Sequence, residues 1–185
     1  MTAQKLHLCF DFDETITKEH KFDEDPYGAD EIRHPGYLQR IMMKAIDDGH
    51  LVSITTCRAG EDDLIKTALV AIGLPDEYIK QIPITANLSD FEGKNHHIKN
   101  ALKKHPKPPH MRDSDYLSVL IDDSPNNIEW AKQAGHGAIE VTGDPGLAPN
   151  VKKYDDAHLV QLEAILNEPD RYITEHEARA KNRLG

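Results

Sequence analysis

Apolar positions along the chain follow two periods that alternate from residue 5 to about residue 166. Short strand-like runs, Leu6 to Phe10, Leu51 to Thr56, Leu117 to Ile121 and Ala138 to Val141, are separated by segments whose apolar residues recur three or four apart. Leu38, Ile41, Met42, Ala45 and Ile46 share one helical face that stops at Gly49, and Ile65, Ala68, Leu69 and Ile72 share another that stops at Gly73 and Pro75. Ile98, Ala101 and Leu102 predict a short helix after Lys94. Ser124 and Pro125 supply an N-cap and first turn for a helix carrying Ile128 and Ala131, and Leu159, Leu162, Ile165 and Leu166 predict a last amphipathic helix. A further strand is expected over 79–85, around Ile82 and Ile84, and Pro83, which has no N–H to give a ladder, puts it at a sheet edge. Strands alternating with helices predict an α/β fold: a central parallel sheet of about five strands in three layers.

The 185 residues suit one domain with a short appendage, here 1–167 followed by a polar tail or exposed helix over 168–185. With 22 basic against 32 acidic residues the net charge is −10, which disfavours a protein that tracks a nucleic-acid backbone. No run approaches the roughly 18 apolar residues that cross a bilayer, and a cytoplasmic protein with no membrane partner is expected. Cys9 and Cys57 form no C-x-x-C pair and are read as reduced thiols without chemistry. The 11 histidines, His96 and His97 included, lack metal-ligand spacing and are read as surface or helix residues.

Chemistry gathers where strands stop. Ligands of parallel α/β sheets bind outside the carboxyl ends of the strands, and there the chain places Asp11, Asp13, Thr56, Asp122 and Asp123. Carboxylates crowded together repel unless a cation sits among them, and an all-oxygen set with space for water suits Mg2+. A carboxylate is also a nucleophile toward phosphorus, and a second one two residues on can protonate the leaving oxygen and then activate water. Asp11-Phe12-Asp13 has that spacing, and Thr56 and Lys94 are the donors nearest to hand for the phosphoryl oxygens.

These residues resemble the haloacid dehalogenase (HAD) superfamily, mostly Mg2+-dependent phosphatases. LHLCFDFDET, Leu6 to Thr15, is similar to the first motif of that family, and LSVLIDDSPNN, Leu117 to Asn127, to the fourth. LVSITTCR, residues 51–58, resembles the second and Gly93-Lys94 the third. The resemblance implies a Rossmann-like, HAD-like domain in which Asp11 is nucleophile and metal ligand, and Asp13 is general acid/base and a metal ligand through its backbone carbonyl. It further implies Asp123 on Mg2+ with Asp122 supporting that shell. Thr56 matches the T-x-R form of the second motif, with Thr55 as the alternative hydroxyl, and Asn127 stands where some members carry a further acid. The gaps after Thr15 and over 59–93 hold no sizeable cap domain, so the site is expected to be open, covered at most by Thr17 to His34. Arg58, Arg33 and His34 are further candidate contacts for a phosphate. The expected activity is phosphate-monoester hydrolysis through an aspartyl-phosphate on a small or macromolecular substrate, with enclosure by a second copy of the chain as one option. The alternative is a non-catalytic phospho-ligand binding or signalling module.

Overall fold

The computed structural model describes residues 5–20, 25–86, 93–141 and 157–183. Positions 21–24 of the expected cover segment and 184–185 of the expected tail lie outside the described residues. Five strands, β1 (Lys5–Phe10), β2 (Leu51–Thr56), β3 (Ile84–Ala86), β4 (Tyr116–Asp122) and β5 (Gly137–Glu140), form one sheet in the order β3-β2-β1-β4-β5. All four pairings are parallel. Between and after them run α1 (Pro35–Asp47), α2 (Asp62–Ile72), α3 (Asp76–Ile79), α4 (Asn95–Lys104), α5 (Pro125–Gln133), α6 (Ala157–Asn167) and α7 (Pro169–Arg183).

Strand alternation sorts the side chains into two unequal layers. Leu6, Leu8, Phe10, Val52, Ile54, Val119 and Ile121 face the larger core, covered by α1, α2 and α6. Cys9 and Leu120 face the other side, where Ile98 of α4 and Ala131 of α5 close a much smaller cluster. The rest of that side is polar. His7 is fully buried, its ring nitrogens 3.0 Å from Ser118 Oγ and 2.8 Å from Ser53 Oγ, and Ser53 Oγ lies 2.8 Å from His105 Nε2.

Two expectations change here. The strand expected over 79–85 is only Ile84–Ala86, because Pro75 starts a short helix, α3, that takes up Tyr78 and Ile79. Its edge position is as Pro83 requires, and the carbonyl of Pro83 still accepts from the Ile54 amide at 3.1 Å. Reading the histidines as surface or helix residues is corrected for His7, His50 and His105, which are buried outside the helices, His7 in the central strand; His97 and His158 are buried on α4 and α6. The polar C-terminal stretch forms α7, mostly exposed, which docks Ile173 and Tyr172 on the larger core. No helix among the described residues is long and apolar enough to cross a membrane.

Burial holds His50, His105 and His136 down to about 4, and His7 well below its ordinary value, each pushed further by neighbouring cations or histidines. The folded chain therefore binds fewer protons than the unfolded chain between about pH 6.5 and 4, so this contribution to stability is lost as pH falls through that window. Thermal melts from pH 7 to 4.5 should show a falling Tm. His105→Gln should flatten the fall, and a pH profile identical in wild type and variant would contradict the assignment.

Candidate active site

The central strand β1 stops where its apolar run stops, and the ladder extends one residue further: the Asp11 amide donates to the Ile121 carbonyl at 2.8 Å. Since Phe10 pairs with Ile54 and with Ile121, Asp11 lies level with Thr55 on one side and Asp122 on the other. The sheet is extended outward from β1 in both directions, by β2 and by β4, so this is the switch point at which parallel sheets open a crevice. Phe12, between the two acids, belongs to the larger core. It is fully buried, meets the Tyr27 ring edge to face at 5.4 Å and lies under the Arg58 guanidinium at 5.8 Å, which pins the loop carrying Asp11 and Asp13. Glu14 then adopts φ +57, a left-handed turn that lets the Ile16 and Thr17 amides return to the Phe12 carbonyl.

Asp11, Asp122 and Asp123 bring carboxylate oxygens within 4.8 Å of one another. Two acidic segments more than a hundred positions apart thus share one point. Lys94, at the N-terminus of α4 and 3% exposed, sets its ammonium on the Asp11 carboxylate and 2.9 Å from Asp122 Oδ2. Asp122 is completely buried and fully bonded: the Ser124 amide reaches Oδ1 at 2.8 Å, and Asn127 Nδ2 reaches both oxygens at 3.1 and 3.2 Å. Asp123 is the half-buried member of the pair. Burial, reinforced by Asp122 and opposed by Lys94, raises the Asp11 carboxyl to about 7. Asp123 is also raised, by burial and then by Asp122. For Lys94 burial disfavours the charge, yet Asp11 and Asp122 outweigh it and the net shift is upward.

The remaining expected residues sit apart from this cluster. The Asp13 carboxylate is held by Arg58, with Nε 2.9 Å from both oxygens and Nη2 2.8 Å from Oδ1, and His20 Nδ1 is 3.1 Å from Oδ1. Its side chain is thus not among the clustered carboxylates. Arg58, expected to contact phosphate, bridges Asp13 and Glu61. Glu61 and His20 carried no sequence signal beyond charge, and Glu61 follows Arg58 by three residues at the start of α2. Thr55 and Thr56 are both buried. Thr55 is in the row of Asp11, 3.5 Å from the Phe10 carbonyl, whereas Thr56 Oγ1 accepts from the Arg58 amide at 3.3 Å and caps the turn. Asn127, whose role the sequence left open, orients Asp122.

No known protein-family profile matches the chain. No curated protein matches it either. Among solved structures, it is similar to a HAD-like phosphatase from Mesorhizobium loti, with a TM-score of 0.53 at 16% identity, over 90% of this chain and 88% of the other. It is similar also to the HAD domain of the effector protein Lem4 from Legionella pneumophila, with a TM-score of 0.50 at 14% identity, over 94% and 98% of the two chains. No folded cap stands over the crevice among the described residues, where positions 17 to 34 contribute an antiparallel bridge between Thr17 and Ile32 and one 3-10 turn, Ala29–Glu31. A parallel five-stranded sheet of this order, with acids ending its two central strands, has the haloacid dehalogenase-like fold.

Proposed function

We propose that the chain is a Mg2+-dependent phosphohydrolase that acts on phosphate monoesters through an aspartyl-phosphate on Asp11. One observation carries this reading: Asp11, Asp122 and Asp123 converge within 4.8 Å, with the Lys94 ammonium on two of them. Three carboxylates and no nitrogen or sulfur donor are the ligand chemistry of a hard divalent cation, so the residues present fit Mg2+, held by Asp11 and Asp123 with Asp122 behind them. When bound, the ion would neutralise charge on the transferring group.

The chain's own residues divide the remaining work. An Asp11 oxygen attacks phosphorus, the ester P–O bond breaks, and the departing oxygen takes a proton from Asp13. Water then attacks the phosphorus of the aspartyl-phosphate, Asp13 takes a proton from that water, and inorganic phosphate leaves with the Asp11 carboxylate restored. Lys94, at the start of α4, and the hydroxyls of Thr55 and Thr56, at the end of β2, are assigned to hold phosphoryl oxygens. Arg58 holds the Asp13 carboxylate in place, and that pair must open for Asp13 to exchange a proton with substrate or water. A crevice with no folded cap among the described residues accommodates a phosphorylated small molecule or a phosphorylated side chain of a larger partner.

The test is turnover of p-nitrophenyl phosphate, then of a panel of phosphometabolites and phosphopeptides. Activity should need Mg2+, vanish with a chelator and return on adding the ion back. A metal-replete protein that hydrolyses nothing on the panel yet binds a phosphorylated ligand would favour the binding-module reading.

A further inference from the structure

Trp130 is the chain's single tryptophan and stands 37% exposed on α5, a position that core packing does not require. Its ring lies against Gly93. A Cβ at that glycine would fall 2.4 Å from Cε3 and 3.1 Å from Cζ3 of the indole, and 3.1 Å from Asn127 Oδ1. Gly93 also has φ +63, so both its backbone conformation and the approach of the ring select glycine. The next residue is Lys94. The one after, Asn95, donates through Nδ2 to the Trp130 carbonyl at 3.3 Å.

One face of α5 therefore grips the turn on both sides of the lysine. Asn127 and Trp130, three apart, lie on that face, and Asn127 also fixes the carboxylate of Asp122 that receives the Lys94 ammonium. A lysine side chain has a flexible four-carbon stem, and aiming its charge requires a fixed backbone origin.

We propose that Trp130 is a positioning residue for Lys94: the indole seated on Gly93 holds the turn that delivers the ammonium to Asp11 and Asp122. Its effect on turnover rests on the phosphohydrolase reading, in which Lys94 holds phosphoryl oxygens; its effect on the lysine does not.

Two readouts separate these. Acylation of Lys94 by sulfosuccinimidyl acetate, followed by peptide mass spectrometry, reports how well the lysine is held. Trp130→Ala should react about fivefold faster than wild type at Lys94, through more frequent local opening. Gly93→Ala, which drives a methyl into the same contact, should do likewise and supplies a second variant if the first does not fold. Steady-state hydrolysis of p-nitrophenyl phosphate should show kcat/KM down about tenfold in Trp130→Ala, most of it in KM, as expected when a phosphate-holding group is displaced. Trp130→Phe, which keeps a ring toward Gly93, should recover most of both effects. Equal acylation of Lys94 in wild type and folded variants overturns the proposal, as does an unchanged kcat/KM in an active enzyme. Faster acylation in a protein that shows no turnover at all supports the clamp and counts against the phosphohydrolase reading alone.

Discussion

Asp11→Asn should abolish hydrolysis while leaving the fold at least as stable. The expected loss in kcat is about ten-thousandfold or more, because an amide oxygen does not attack phosphorus, and the neighbouring carboxylates have other work: Asp122 is bonded to Lys94, Ser124 and Asn127, and Asp123 is proposed to hold the cation. Mass spectrometry of an acid-quenched reaction should find one phosphoryl group on the wild-type peptide containing Asp11 and none on the variant. Stability should respond in the opposite sense. Burial and Asp122 raise the Asp11 carboxyl from its ordinary 3.8 to about 7, so the folded chain holds more protons than the unfolded one in that window. Without a divalent ion, the Asp11 contribution thus falls as pH rises from about 4 to 7. Asparagine removes the charge and with it that decline, so the Tm of the metal-free variant at pH 8 should match or exceed that of wild type. A variant that keeps wild-type turnover would exclude Asp11 as nucleophile.

This opposition of stability and function is why the site was visible in the sequence. Acids at the ends of buried strands cost folding free energy, and Asp11-Phe12-Asp13 and Asp122-Asp123 stand out against the apolar runs they interrupt. The β1, β2 and β4 strands were equally legible, since a strand buried on both faces reads as a continuous apolar run. Legibility stopped where partners are distant in sequence. His7 sits in β1 between Leu6 and Leu8 and looks like a polar interruption; what makes it a core residue is Ser53, Ser118 and His105, brought to it by two other strands and the segment after α4. Arg58 stands out in the sequence because it follows Thr56, but nothing there shows that it meets Asp13, 45 positions away. Trp130 gave no signal in the periodicity of α5, because the residue it meets is a glycine without a side chain. The short β3 was overestimated for a local reason: Ile79 carries strand propensity, but the turn that Pro75 begins holds it in a helix that Lys80 closes.

Lys94→Met tests the electrostatic core of the site from the other side. Lys94 is the cation seated among the buried acids, bonded to Asp11 and Asp122, and removing one partner of a buried charge pair typically costs about 3 to 5 kcal/mol. For a chain of this length that lowers Tm by about 10 °C at neutral pH. Methionine keeps the bulk of the stem, so the loss is one of charge rather than of packing. With the ammonium gone, Asp11 loses the interaction that lowers its pKa, and the fall in stability with rising pH should continue to higher pH than in wild type. A divalent ion supplies the missing positive charge. Mg2+ at a hundred times its dissociation constant adds about 2.7 kcal/mol to any state that binds it, so it should restore a large part of the lost Tm at pH 8. It should do less at pH 5, where protonated Asp11 no longer attracts it. Turnover should stay low, by about a hundredfold to a thousandfold even with Mg2+ present, because the ion does not take over the hydrogen bonds that the lysine would give the phosphoryl oxygens. A Lys94→Met protein as stable as wild type at pH 8 and indifferent to Mg2+ would mean that Asp11, Asp122 and Asp123 do not form the charged cage on which the proposed chemistry depends.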